Sequence, residues 1–262
     1  MSNKHLGYIL FLFILFCSSF AIARSLEDLL YDATRYGNTP ERREAKRVAR
    51  EELKERMPDS LHAAMAHIHG DRVMLQVLVM EWVLELPSDV IVPALLAYID
   101  HDRIETRRVA IFFLGFHQAT EHADRLFPHL EEEQTRGAAL RTLGKWKVPE
   151  ARSHAEKWLV DGGERLRIVA ANALRDIGDT KALPALVEAF DDPVFTVRNT
   201  AARAVVSFGD EAAVYLESMD GSFTSTADLI RRRCLHDLGR LTLPQSMDKN
   251  AIHLDGSFFN TQ

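Results

Sequence analysis

Small, aliphatic and glycine positions recur along the chain in one fixed frame. In each copy a small residue lies five positions before a glycine, an aliphatic residue lies four before it, and an aliphatic or aromatic residue lies one before it. These offsets place the three apolar side chains on one face of a helix, and glycine can end the helix in the left-handed conformation. The five copies cover residues 110–115, 139–144, 173–178, 204–209 and 234–239.

The repeat has the length of a helical hairpin. Successive glycines of the frame are 29, 34, 31 and 30 residues apart, and a second apolar helical pattern follows the glycine in several copies, as in residues 182–190. A lone hairpin cannot bury both of its faces, so neighbouring hairpins must stack to build a continuous core. The predicted fold is therefore all-α, an α-solenoid of stacked antiparallel helix hairpins.

The small position of the frame predicts where adjacent first helices approach each other. It is occupied by alanine in four copies and by Cys234 in the fifth, so Cys234 is interpreted as a small buried hydrophobe rather than a reactive thiol. The other cysteine, Cys17, lies far from it in a segment interpreted below as a leader, and no disulfide framework is predicted. The four alanines are Ala110, Ala139, Ala173 and Ala204.

An acidic residue and an arginine six positions later also recur. The acid would precede the first helix, near its positive end, and the arginine would lie about one turn inside it. The pairs are Asp102 with Arg108, Asp161 with Arg167, and Asp192 with Arg198.

The stretch from Asp192 to Val205, together with residues 167–179 one unit earlier, resembles the HEAT-repeat superfamily. The likeness is to its short form of about 30 residues, known from phycobilin lyase subunits; it is specific over 160–215 and looser over 89–240. This resemblance implies a HEAT-like superhelix and a ladder in which these acids and arginines hydrogen-bond between successive units. The pattern departs from it at Arg108 and Arg136, which precede their glycines by 7 and 8 residues rather than 11. Either those first helices are a turn shorter, or the glycine frame is displaced there.

The chain begins with the three parts of a secretory signal peptide. Lys4 supplies a basic start, residues 6–16 are apolar, and Ala21 and Ala23 form a small-residue cleavage site. We expect cleavage after Ala23 and an exported protein, periplasmic or secreted. The alternative is an uncleaved segment that anchors the protein in the membrane, since residues 6–23 just reach spanning length.

The remaining chain is predicted to contain three parts. Residues 24–72 form an N-terminal helical cap, with helix starts at Ser25 and at Thr39. Residues 73–240 form the repeat solenoid, beginning with a helix over 73–86 that is apolar nearly all round and should be buried. Residues 241–262 form a flexible tail.

Composition and charge narrow the function classes. With 47% apolar and 27% charged residues, the chain has the balance of a globular protein rather than a disordered one. Its formal charge of −6 gives no overall basic surface for displacing counterions, so no nucleic-acid partner is expected. The dense basic run Arg231–Arg233 is interpreted as a solvated cap face.

No motif for catalysis, a cofactor or a small-molecule substrate is found, so no catalytic residue and no cofactor is predicted. Glycine-rich phosphate loops and the His-Glu-x-x-His motif are absent from the sequence. Two histidine groups leave metal binding open, because imidazole is a common ligand. These groups are His62, His67 and His69, and His117, His122 and His129.

One candidate for partner contact follows Gly144. Lys145, Trp146 and Lys147 occupy a predicted turn, where an exposed aromatic residue could anchor a partner. The alternative is that Trp146 folds back onto the next hairpin. We expect an exported, non-catalytic scaffold or adaptor that binds a protein or peptide, with the second helices lining a concave surface. The resemblance alone implies the alternative, a lyase or chaperone-like subunit acting on a partner protein.

Overall fold

The computed structural model describes residues 24–68, 72–219 and 223–242. The predicted leader, residue His69 and nearly all of the predicted tail lie outside these ranges. Within them, every regular element is a helix, and none is both long and apolar enough to cross a bilayer. The described residues form two compact units, which divide between Glu85 and Leu86.

The described residues of the first unit form four helices. They are α1 (Leu26–Thr34), α2 (Pro40–Glu55), α3 (Asp59–Ala66) and α4 (Val73–Glu85). Ser25 and Thr39 are the N-caps of α1 and α2, as the sequence predicts, because each side-chain oxygen accepts a hydrogen bond from a backbone N–H of the first turn. The core is aliphatic around one indole and includes Leu29, Leu53, Leu61, Met65 and Trp82.

Helix α4 differs from its sequence-based description. The sequence places it at the start of the solenoid and predicts burial on all sides, but the structure assigns it to the first unit. Trp82 and Val83 are buried, whereas Val73 is 61% exposed and Leu84 is 64% exposed. The sequence of a helix that is apolar all round does not show which face is buried, because no polar face stands opposite an apolar one. The elements that pack against the helix determine which face is buried.

The second unit is an α-solenoid of stacked hairpins, as predicted. Consecutive first helices pack on one another, and a second helix lies between each two of them along the chain, with one further second helix before the first of them. The first helices are α6 (Ile104–Leu114), α8 (Arg136–Lys145), α10 (Glu164–Ile177), α12 (Phe195–Val206) and α14 (Ser225–Asp237). The second helices are α5 (Ser88–Leu96), α7 (Pro128–Glu131), α9 (Arg152–Asp161), α11 (Leu183–Glu188) and α13 (Asp210–Ser218).

The small position of the repeat is buried in all five first helices. None of the four alanines nor Cys234 is more than 2% exposed. At the tightest point a Cβ added to Gly144 would lie 2.8 Å from the Cα of Ala173, so the backbones of α8 and α10 nearly touch. Each hairpin therefore obtains its apolar cover from the next one.

The glycines of the frame have two different structural roles, ending a helix or allowing close helix contact. Gly178, Gly209 and Gly239 have positive φ angles of 75°, 62° and 73° and follow the ends of their helices. Gly115 is right-handed at φ −65°, and Gly144 lies inside α8. These two glycines serve close helix contact instead, so the expectation that each glycine of the frame is left-handed is wrong for them.

A displacement of the glycine frame explains why Gly144 does not end α8. In the unit of α8 the left-handed residue is Lys147, at φ 56°, which lies 11 positions after Arg136. Gly178 lies 11 positions after Arg167, so the two turns correspond. Of the two explanations that the sequence left open, the structure supports a frame displaced by three residues.

Candidate functional site

Four half-buried arginines tie the first helices to the loops that precede them. Each guanidinium donates to one or two backbone carbonyls five or six residues earlier; Arg198, for example, donates to Asp192 O at 2.7 Å. The same contact made by Arg136 reaches Leu130 O at 2.8 Å. The other two members are Arg107 and Arg167.

Two of these arginines also reach a carboxylate 25 residues later. Arg167 pairs with Asp192, with Nε 2.7 Å from Oδ2, and Arg107 pairs with Glu132. Arg136 has no such carboxylate partner among the described residues. Its guanidinium lies 3.8 Å from the ring centroid of Trp158 instead. The contacts therefore join successive repeats and hold the stack in register.

The sequence-predicted ladder is only partly brought together. Arg167, Asp192 and Arg198 take part in it, the last through the Asp192 carbonyl. In the earlier unit the neighbour Arg107 occupies the position, and Asp102 contributes only its backbone carbonyl. Asp161 and Arg108 are exposed and make no ion pair within the described part of the chain.

Trp146 is not an exposed anchor. Its side chain is 3% exposed, and its Nε1 donates to the backbone carbonyl of His117 in the preceding unit. It lies ten positions after Arg136, just as the buried Phe208 lies ten positions after Arg198. Counting from the arginines would have identified this as a core position, whereas counting from the glycines placed it in a turn.

Close to this tryptophan, two phenylalanines and two cations form a surface cluster, here called the cation–aromatic patch: Phe112, Phe116, Arg141 and Lys145. The two rings meet edge to face with centroids 5.4 Å apart. The Lys145 ammonium lies 4.1 Å from the Phe116 centroid, and the Arg141 guanidinium lies 5.5 Å from that of Phe112. Phe116 remains 37% exposed. Of the predicted partner residues, Lys145 thus belongs to a surface site, and Lys147 is exposed beside it.

Hydrogen bonds behind the patch fix its geometry. The Thr142 hydroxyl donates to Ile111 O at 2.8 Å, which locks α8 against α6. The Trp146 indole holds the backbone at His117, whose Nδ1 lies 2.8 Å from the Ser88 hydroxyl. Because Thr142, Trp146 and His117 are buried, the patch is preorganised before any partner arrives.

Charge is divided between the two rows of helices. The five first helices contain thirteen Arg and Lys residues against five Asp and Glu, a net charge of +8. The five second helices contain two basic residues against eight acidic ones, a net charge of −6. A chain that is acidic overall therefore presents a basic row in its second unit.

The histidine groups do not assemble a metal site in the described ranges. His117 contacts Ser88, the Nε2 of His129 lies 3.4 Å from Asp100, and the Nε2 of His67 lies 3.7 Å from Glu27. Nowhere in residues 24–68, 72–219 and 223–242 do three His, Cys, Asp or Glu residues come together in a way that could hold a metal ion.

Three further features that could mark a functional site are a basic run, a buried cysteine and a cleft in the first unit. Each arginine of the run 231–233 forms an ion pair within α14, two with Asp228 and one with Asp237. Cys234 is buried, and desolvation raises the pKa of its thiol to about 12, so the reactive thiolate is scarce near neutral pH. In the first unit, a cleft of about 560 Å³ lies beside Tyr31 and Met74.

Comparison with known proteins identifies the repeat type. Residues 125–206 and 156–239 match the family described as HEAT repeats. Among solved structures, an engineered protein is similar at 17% identity over 82% of this chain and 97% of that one, with a TM-score of 0.41. Human deoxyhypusine hydroxylase, solved in complex with glycerol, is similar at 12% identity over 86% of this chain and 99% of that one, with a TM-score of 0.31. The chain matches no curated protein.

Proposed function

Because residues 125–239 belong to the HEAT-repeat superfamily, we propose that this protein is an exported, non-catalytic scaffold or adaptor that binds a protein or peptide partner on the surface of its repeat unit. The observation that supports this most directly is the cation–aromatic patch. Arginine and aromatic side chains are enriched among the residues that dominate binding energy at protein interfaces. Here they are partly exposed and held by a buried hydrogen-bonded frame.

The mechanism is display rather than chemistry. A partner that binds a rigid surface does not have to pay the entropy of ordering it, and the arginine–carboxylate contacts between repeats supply that rigidity. The repeat stack would thus hold several side chains at fixed spacing for one extended partner.

The surface that we favour differs from the expectation drawn from the sequence. The second helices were expected to line the binding surface, but the patch lies on α6, α8 and the turn after α6. The first helices also carry a net charge of +8, of which Arg107 and Arg167 are paired with loop carboxylates. Both features favour the first-helix row.

Direct capture tests the proposal. The mature form, residues 24–262, would be immobilised and exposed to envelope extract, and retained proteins would be identified by mass spectrometry. A retained protein counts as a partner only if it binds again after purification. If no protein exceeds the level retained by an unrelated helical protein, the adaptor proposal fails.

Export is a separate part of the proposal and has its own test. The intact mass of the protein isolated from its host would begin at Arg24 if the leader is removed after Ala23. Recovery of the full-length chain from the membrane fraction would support the anchored alternative instead.

A second candidate function rests on the resemblance of residues 167–179 and 192–205 to phycobilin lyase repeats. A lyase or chaperone-like subunit of that kind would handle a pigment together with its partner protein. The visible absorption spectrum of the purified protein, before and after incubation with a linear tetrapyrrole, distinguishes the two candidates. An unchanged spectrum would remove this second candidate.

A further inference from the structure

We infer that the first-helix row docks an acidic peptide segment, in which an apolar side chain seats on Phe112 and Phe116 while flanking carboxylates meet Arg141 and Lys145. This inference rests on the proposed adaptor function and adds the chemistry of the partner. It is carried by three independent observations: the division of charge, the lack of carboxylate partners at the patch, and the exposed ring.

The first observation is the charge of the row. The first helices carry a net +8 in a chain whose formal charge is −6. A complementary partner is therefore acidic, since like charges brought together across an interface repel each other. The second helices, with a net −6, would repel the same partner.

The second observation concerns which cations are available. The ladder arginines are committed to carbonyls and carboxylates. Arg108, Arg141, Lys145 and Arg203 make no ion pair within the described part of the chain, and the last three lie on the exposed or half-exposed side of their helices. Arg141 and Lys145 face aromatic rings instead of carboxylates. Each can still donate hydrogen bonds to a carboxylate of a partner.

The third observation is the apolar floor between these cations. Phe116 is 37% exposed, and Phe112 is half-buried against it. An apolar side chain placed there would remove both rings from water and would also strengthen the neighbouring ion pairs by lowering the local dielectric. A peptide that carries only acidic side chains would contact the two cations but not the two rings.

Nucleic acid fits this row less well. Binding a phosphate backbone depends on neutralising many phosphates along a continuous basic track. Here Glu105 and Asp176 interrupt the row, and the densest basic run, in α14, is paired with Asp228 and Asp237. The available cations are few and surround an aromatic floor, which suits a short acidic and apolar peptide.

Fluorescence anisotropy with defined probes tests the inference. The purified full chain would be titrated into four labelled probes of equal length: an Asp/Glu peptide containing Leu and Phe, the same peptide with Ser at the apolar positions, a Lys/Ser peptide, and single-stranded DNA. We expect the acidic peptide with Leu and Phe to bind most tightly and to weaken as salt is raised. The Lys/Ser peptide should not bind.

Matched variants locate the binding. Arg141→Glu reverses one charge in the patch, whereas Lys181→Glu reverses one exposed charge beside the second helix α11. Arg141→Glu should weaken the acidic apolar peptide by about tenfold or more, and Lys181→Glu should leave its affinity unchanged. Phe116→Ala should reduce the preference for the apolar peptide over the Ser peptide. Circular dichroism would show that each variant is folded.

Three outcomes would overturn the inference. One is that DNA binds as tightly as the acidic apolar peptide and is equally sensitive to Arg141→Glu. Another is that neither acidic peptide binds to the folded protein. The last is that Arg141→Glu and Lys181→Glu have equal effects. If capture from envelope extract still yields a direct partner that Arg141→Glu retains, the adaptor function stands and only this assignment of its surface fails.

Discussion

The Arg167 guanidinium and the Asp192 carboxylate lie side by side across two successive repeats, with Nε 2.7 Å from Oδ2 and Nη2 3.1 Å from Oδ1. Their side chains are only 16% and 8% exposed. Oδ1 of Asp192 also accepts the backbone N–H of Val194, and Arg167 donates to Gly162 O. One pair of residues thus fixes two loops and two helices.

Removing either partner should destabilise the repeat unit strongly. Arg167→Ala or Asp192→Ala would leave a largely buried charge without its partner, and we expect a loss of about 3–5 kcal/mol in the free energy of unfolding. Urea denaturation followed by circular dichroism measures it. Arg240→Ala is the control, because its pair with Asp210 is solvent-exposed and should contribute little. Equal losses from the buried and exposed pairs would contradict the structural role assigned here.

The two glycines of α8 should respond in opposite directions to the same substitution. A Cβ at Gly144 would lie 2.8 Å from the Ala173 Cα, so Gly144→Ala should force α10 away and cost about 1–3 kcal/mol. A Cβ at Gly137 would meet only Leu166, at 4.0 Å, so Gly137→Ala should be neutral or stabilise by up to about 1 kcal/mol through helix propensity. Thermal denaturation of the two variants decides. A tolerated Gly144→Ala would show that the two helices are farther apart than described.

Trp146 should behave as a core residue. Trp146→Ala should cost about 3–5 kcal/mol by opening a cavity, and Trp146→Phe about 1 kcal/mol because the His117 carbonyl loses its donor. Unfolding by urea measures both. The Phe variant should still bind the acidic apolar peptide, although less tightly, because it loses the hydrogen bond that holds the backbone at His117 behind the patch. Lost binding with unchanged stability would return Trp146 to the role of partner anchor.

The Cys234 thiol should be inert in the folded protein. In a Cys17→Ser background, a thiol reagent at neutral pH should modify Cys234 only after denaturant is added, since burial removes access and raises the pKa of the thiol to about 12. Rapid modification of the folded protein would contradict this.

The same shift has a consequence for stability against pH. The folded state holds the Cys234 proton more tightly than the unfolded state, whose thiol has an ordinary pKa near 8.5. This contribution to stability is therefore fully present below about pH 8.5 and is lost as the pH rises towards 12. Cys234→Ala, compared with the parent protein in urea at rising pH, should remove that part of the alkaline destabilisation.

Much of the fold was predictable because a helix face is insensitive to a shift of three residues. The glycine frame assigned Ala139 and Ala173 to one position, although they lie 3 and 6 residues after their arginines. Both are nevertheless buried, since positions three apart share a face. Hydrophobic spacing therefore determined the class, the stacking and the buried side.

The surroundings of the cation–aromatic patch depend on helix register, which hydrophobic spacing cannot distinguish. Whether Gly144 ends a helix or lies inside one, and whether Trp146 is in a turn or in the core, depends on three residues of register. That register was settled by the neighbouring hairpin, through the contact at Ala173 and the carbonyl of His117. The stacking of hairpins with their small residues inward follows from the sequence alone, because apolar periodicity is local. The acid that each arginine meets and the rings that remain exposed beside Arg141 and Lys145 depend on the folded chain, because these contacts join residues about 25 to 30 positions apart.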